Sequence, residues 1–255
     1  MKRFLTPIIV LILTILLCSA NVFASPNTFS WYCRRNSEHK QPDIDSNMSF
    51  IESYNGYYVD RSSKDKKVIY LTFDAGYENG NISKILDTLK EEKVPAAFFI
   101  LENLIKKDPE LIIRMKNEGH LVCNHTARHP DVTKFSCIED FKKEVEALET
   151  LYYDLIGEEM PKYFRPPEGK FNEQSMRFAS ELGYKTIFWS FAYADWDNNS
   201  QPSHEYARSK ILSNVHNGEI MLLHPTSSTN AEILKDIITD LKAQGYSFGT
   251  LDDIK

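Results

Sequence analysis

Val68-Ile69-Tyr70-Leu71-Thr72-Phe73-Asp74-Ala75-Gly76, then Ile82-Ser83-Lys84-Ile85-Leu86-Asp87-Thr88-Leu89, then Ala96-Ala97-Phe98-Phe99-Ile100 is the stretch that decides the fold. The first run is apolar, rich in β-formers and too short for a buried helix. In the second, Ile82, Ile85, Leu86 and Leu89 recur at helical spacing, and the third is again a short apolar strand. Strand, amphipathic helix and strand in so short a space make a βαβ unit, whose crossover leaves its two strands parallel.

The alternation continues outward from this unit. Asp108-Pro109 opens a helix with Pro at its first position, and Gly119 ends it. Leu121 to Cys123 reads as a strand, and Ser136-x-x-Glu139 reads as a capping box opening a helix to about Ile156. Strands are expected at Lys162 to Arg165, Lys185 to Ser190, Glu219 to Leu223 and Tyr246 to Thr250. Helices are expected at Glu173 to Leu182, Glu205 to His216 and Ala231 to Ala243. About seven strands alternating with about six helices imply parallel βα units, in a (β/α) barrel or an open doubly wound sheet. No G-x-G-x-x-G follows the first strand, so a dinucleotide-binding fold loses its main support.

The remaining chain bounds the function. It has 255 residues, with 30 Lys and Arg against 36 Asp and Glu, a net charge of -6. A sequence-independent nucleic-acid binder needs a basic face, so no nucleic-acid partner is expected. Lys2 and Arg3, an apolar run from Phe4 to Cys18 and the small residue Ala24 after Val22-Phe23 form a signal-peptide pattern over residues 1–24. The run is shorter than a membrane span, so an exported chain starting at Ser25, with no span left after cleavage, is expected. Leu17 before Cys18 is a poor lipobox. Residues 25–66 are polar and aperiodic and read as an irregular arm; the domain runs from 67 to 255. Cys33, Cys123 and Cys137 remain, an odd number without a C-x-x-C, and Cys123 and Cys137 read as buried thiols.

The chemically capable residues all follow strands. Asp74 follows the first, His125 and His129 the third, Arg165 ends the fourth, Asp195 and Trp196 follow the fifth, and His224 the sixth. In parallel α/β folds the active site lies at these strand ends. His125-x-x-x-His129 offers two imidazoles to one divalent ion, although chance surface histidines give the same spacing. Thr126 stands where H-E-x-x-H needs glutamate, so a metalloprotease is excluded. Asp74 suits a general base or an Asx-turn, and His224 a general acid or a core histidine. Arg165, stiffened by Pro166-Pro167, suits a clamp on Asp74 or a surface arginine. Position singles out none of His39, His120, His204 and His216, which read as structural or exposed. No G-x-S-x-G exists, and Glu78 near Asp74 is the one pointer to a glycosidase carboxylate pair.

Thr72-Phe73-Asp74-Ala75-Gly76, His125-x-x-x-His129, Arg165-Pro166-Pro167, Asp195-Trp196 and Leu222-Leu223-His224 occur in this order. Together they resemble the five motifs of the polysaccharide deacetylase (NodB homology) family. The longer strings Asp74 to Gly80 and Asn124 to Pro130 are similar to its delta-lactam-biosynthetic de-N-acetylase branch. The resemblance implies a distorted (β/α) barrel of about seven parallel strands and metal-assisted hydrolysis of an acetamide. It implies His125 and His129 as ligands of zinc or another first-row ion, Asp74 as general base, His224 as general acid and Arg165 as the group orienting Asp74. It places Glu168, Asp195, Trp196 and Leu222 with the substrate, the Glu168 backbone N–H at the oxyanion and Trp196 and Leu222 on the acetate pocket. Two positions depart from the pattern. Ala75 stands where the family has a metal-binding aspartate, so weak metal binding is expected. Ala192 stands where an aspartate tethers the acid histidine, and Asp195 is the available substitute.

The function the resemblance implies is deacetylation of N-acetylmuramic acid in peptidoglycan glycan strands, for muramic δ-lactam formation in spore cortex. Its expected place is the cell wall or the intermembrane space of the developing spore. A chitin-type or O-acetyl substrate, or a non-catalytic glycan-binding relic, are the alternatives.

Overall fold

The computed structural model describes residues 27–34 and 38–255. In chain order the strands are β1 (Phe29–Ser30), β2 (Gly56–Tyr57), β3 (Val68–Ala75), β4 (Ala97–Ile100), β5 (Leu121–Asn124), β6 (Tyr163–Phe164), β7 (Lys170–Phe171), β8 (Lys185–Ile187), β9 (Glu219–Leu223) and β10 (Ser247–Phe248). The α-helices are α1 (Ile82–Glu92), α2 (Glu102–Lys107), α3 (Pro109–Asn117), α4 (Ile138–Ile156), α5 (Glu173–Glu181), α6 (His204–Asn214) and α7 (Ser228–Ala243). Each of the seven strands read from the sequence is present, and so are the six helices. The short helix α2 and the strands β1, β2 and β7 were not legible.

Eight strands form the main sheet, and every pairing within it is parallel. The path runs β10-β3-β4-β5-β6-β8-β2, and β9 also pairs with β3. Beyond β8 the chain reaches Phe191, which bridges Met221 of β9, so the sheet curls back toward its own start. The result is the distorted (β/α) barrel rather than the open sheet.

Strand periodicity sorts the core into layers. Ile69, Leu71, Phe73 and Ala75 of β3 pack outward against Ile82, Ile85, Leu86 and Leu89 of α1 and against α7. Tyr70, Phe99, Cys123, Ile187 and Ile220 fill the barrel interior. Each such fully buried large side chain contributes about 1.5–3 kcal/mol. Cys123 is buried as expected, whereas Cys137 is half-buried. The reason is a helix start one residue late: Cys137, in extended conformation, is the N-cap of α4, and no Ser136 capping box forms. Capping boxes form elsewhere, at Asn172 with Ser175 at the start of α5 and at Thr250 with Asp253 near the end of the chain.

The described residues of the 25–66 arm, 27–34 and 38–66, are more than irregular chain. β2 pairs with β8, and Val59 bridges Glu219 antiparallel, so the arm fills the gap between β8 and β9. β1 pairs antiparallel with β7. Trp31, Met48, Ile51, Tyr58 and Val59 share a core with Phe171, Met176 and Phe188 of the domain. Two-residue strands and a 3-10 turn over Ser46–Tyr54 carry no hydrophobic period, which is why the sequence hides them. The signal-peptide segment 1–24 lies outside the described residues. Among the described residues no helix is long and apolar enough to cross a membrane.

Candidate active site

The carboxyl ends of the strands surround a cleft of about 730 Å³. Asp74, His125, His129, Glu168, Trp196, Leu222 and His224 all line it. Arg165 and Asp195 stand behind its wall and are buried.

Asp74 lies near the end of β3 and is held from behind. Arg165 Nη1 donates to its Oδ1 at 2.7 Å. The guanidinium is itself locked: Nη2 donates to Thr72 Oγ1 at 2.9 Å and Phe188 O at 3.2 Å, Nε to Ile187 O at 2.8 Å. It also stacks over the Phe99 ring at 4.1 Å. Burial acts to raise the Asp74 pKa, but the Arg165 charge and hydrogen bond, with His224 beyond, outweigh it and hold the carboxylate below its ordinary value. Asp74 is therefore ionised at neutral pH, a proton acceptor fixed in the cleft.

The two histidines are set by a tight turn after β5. Asn124 Oδ1 accepts the Thr126 N–H at 2.8 Å, and Thr126 Oγ1 accepts the His129 N–H at 2.9 Å. Thr126 (φ 71°) and His129 (φ 60°) take the left-handed conformation, which folds the segment so that the two rings lie 5.1 Å apart. His125 Nδ1 lies 2.8 Å from the Arg165 carbonyl, which can only accept, so Nδ1 carries the proton. Its Nε2 lone pair faces Asp74 Oδ2 at 3.7 Å. Burial pushes the His125 pKa down to about 4, which keeps the ring neutral.

These residues fit the expected metal only in part. Ala75 turns its methyl into the helix-facing core and offers no donor. Among the described residues no group of three or more His, Cys, Asp or Glu side chains is arranged to hold an ion. His125 and His129 are thus the two imidazoles that could hold an ion here, one protein ligand fewer than the three of a usual catalytic zinc site.

Asp195, expected among the substrate contacts, has a different place. It is 1% exposed. Its Oδ1 accepts His224 Nδ1–H at 2.7 Å, and its Oδ2 accepts the His224 backbone N–H at 2.8 Å and Asn230 Nδ2–H at 2.6 Å. It supplies the tether that Ala192 cannot. Burial disfavours the imidazolium, but the Asp195 hydrogen bond and charge, with Asp74 beyond, raise the His224 pKa above its ordinary value. His224 is thus a held proton donor opposite a held acceptor.

The oxyanion candidate also stands in the cleft wall. Pro166 and Pro167 lead into Glu168, which lines the cleft with a left-handed φ of 55° and whose carboxylate reaches Lys170 Nζ at 2.6 Å. Leu222 is buried in the cleft floor, and the Trp196 ring meets His224 edge-on at 6.0 Å and is 60% exposed. Four lining aromatics were missed from sequence: Trp31, Tyr77, Trp189 and Tyr193. Trp189 lies inside the strand expected at Lys185 to Ser190 and was findable there, while Trp31 lies in the aperiodic arm. The other histidines are structural or superficial, as read: His120 and His216 are buried, and His204 pairs with Glu232 at the surface.

The family model "Polysaccharide deacetylase" matches residues 61–187. The chain is 40% identical over 238 residues to Bacillus subtilis peptidoglycan-N-acetylmuramic acid deacetylase PdaA, covering 92% of this chain and 89% of that protein. It superposes on the structure of Bacillus subtilis PdaA, a family 4 carbohydrate esterase, with a TM-score of 0.85 over 89% of this chain and 97% of that one. A family 4 carbohydrate esterase from Bacillus anthracis gives a TM-score of 0.74 at 37% identity, over 89% and 96%. With a relative this similar along nearly its whole length, this chain belongs to the polysaccharide deacetylase family.

Proposed function

We propose that this protein is an exported peptidoglycan N-deacetylase that removes the acetyl group of N-acetylmuramic residues, enabling muramic δ-lactam formation in spore cortex. The observation that carries the reading is the opposition of two tethered groups across one cleft: Asp74 held by Arg165, and His224 held by Asp195. An ionised acceptor and a protonated donor are what amide hydrolysis needs, because an amide nitrogen leaves only when protonated. The substrate assignment draws on the similarity to PdaA.

In this mechanism Asp74 takes a proton from water as the water oxygen attacks the acetyl carbonyl carbon. The backbone N–H of Glu168 donates to the oxyanion that forms. His224 gives its proton to the nitrogen, the C–N bond breaks, and acetate and a free amine remain. Asp195 stabilises the imidazolium before transfer, and Arg165 keeps Asp74 aimed. Leu222 and Trp196 shape the acetyl pocket. A divalent ion, where bound, would rest on the His125 and His129 imidazoles.

The test is acetate release from peptidoglycan glycan strands, with and without stem peptides, by wild type and Asp74→Asn. The wild type is expected to release acetate from muramic residues and the variant, though folded, to release none. Full activity in the variant would remove Asp74 as the base. Release from N-acetylglucosamine residues alone would overturn the muramic assignment.

A further inference from the structure

The arm and the site meet at one side chain. The Trp31 backbone N–H donates to Gly169 O at 2.8 Å, and its indole Nε1–H donates to Trp189 O at 2.8 Å. Its ring stacks on Phe188 with centroids 4.6 Å apart. Gly169 ends the turn that presents Glu168, and there is no room there: a Cβ on Gly169 would lie 2.7 Å from Trp189 Cη2 and 3.0 Å from Trp31 Cβ. The segment on the other side of the indole carries the carbonyls of Ile187 and Phe188 that grip Arg165. Trp31 therefore touches both halves of the machinery: the turn facing the oxyanion, and the backbone that fixes the arginine behind Asp74. Arm carbonyls complete the hold, since Asn55 O and Tyr57 O accept the Thr186 and Phe188 N–H groups at 2.9 and 2.7 Å.

We propose that Trp31 is a positioning residue for the hydrolysis, locking the Pro166–Gly169 turn against the segment 187–189 so that Glu168 and Arg165 keep their mutual geometry. The proposal rests on the reading of Asp74 as the base oriented by Arg165. It makes the arm a working part of the site: displacement at the arm is passed to the chemistry through two hydrogen bonds and one stacked ring. A misplacement of about 1 Å in such a frame is enough to slow a reaction about a hundredfold.

Trp31 also lines the cleft, so a direct sugar contact is the competing role. The two separate in kinetics, because a uniform sugar contact changes KM while a positioning residue changes kcat. Acetate release from peptidoglycan glycan strands is measured for wild type, Trp31→Ala, Trp31→Phe and Asp74→Asn, each checked for folding by circular dichroism. Trp31→Ala is expected to lower kcat about tenfold or more with KM within about threefold. Trp31→Phe keeps the stack and loses the indole N–H, so its kcat is expected between the two. A Trp31→Ala kcat within about twofold of wild type overturns the proposal, whatever happens to KM. Should Trp31→Ala fail to fold, Trp31→Phe decides by the same kcat criterion. An inactive Asp74→Asn beside an unimpaired Trp31 variant sinks this inference alone, whereas an active Asp74→Asn removes the mechanism beneath it.

Discussion

Replacing Asp195 with Asn tests the proton-donor half of the site. The carboxylate accepts three hydrogen bonds, two from His224 and one from Asn230, and it is buried. An amide can replace only one of its two oxygens. If the amide oxygen faces His224 Nδ1, the NH2 meets two donors, the His224 backbone and Asn230. If it faces those two, the NH2 meets Nδ1 and forces the proton to Nε2, so that the ring cannot carry the second proton. In the first arrangement the imidazolium loses its carboxylate ion pair and in the second its hydrogen bond, a loss of about 1.5–3 kcal/mol, or roughly ten- to 150-fold in rate. The buried donors left unpaired add about 1–3 kcal/mol of lost stability each. The pH dependence has a defined sign. Asp195 raises the His224 pKa above 6.5, so its removal leaves burial to lower it. The alkaline limb of kcat/KM therefore moves to lower pH in Asp195→Asn. The stability that His224 gains from Asp195 is full below pH 6.5 and is lost as pH rises through the folded-state pKa, so the deficit of the variant is greatest on the acid side. The assays are acetate release and thermal unfolding, both against pH. A variant with wild-type kcat/KM and an unmoved alkaline limb would refute the tether.

Three further outcomes follow from other parts of the molecule. With two imidazoles as the available protein donors, zinc titration of the chelator-treated protein should show weak binding that His125→Ala abolishes; a three-ligand protein site's tight affinity would contradict the donor set. Gly169→Ala places a Cβ 2.7 Å from Trp189 Cη2 at a φ of 62°, so thermal unfolding should reveal a loss of about 2–4 kcal/mol, and an unchanged Tm would count against the tight turn. Glu219 is buried, its Oε1 lacks a hydrogen-bond partner, and burial holds its pKa well above 4.5 despite the His216 N–H bond that lowers it. The unfolded chain releases that proton above pH 4.5, so native stability falls with rising pH, and Glu219→Gln should gain Tm relative to wild type at about pH 8 but not at about pH 4. Parallel curves for the two proteins would show that Glu219 does not titrate on unfolding.

Local pattern was enough for most of the architecture. Period-two and period-3.6 runs from Val68 onward marked each helix–strand alternation, because those elements bury one face and must write it into the sequence. The same alternation put Asp74, His125, His129, Arg165, Asp195 and His224 at strand ends, which was sufficient to assemble a candidate site. Tertiary structure decided what spacing cannot encode. That the sheet closes depends on the Phe191–Met221 bridge and on β2, whose two residues carry no period. That Asp195 is a tether depends on the side chains of His224 and Asn230 reaching it from a later strand and helix. Ala75 removes one ligand in the sequence itself, but that no other side chain of the described residues completes a set of three around the histidines depends on the packing. Trp31 belongs to the site for the same reason: its partners lie more than a hundred residues away in the chain, and only the packed core brings them within hydrogen-bonding distance.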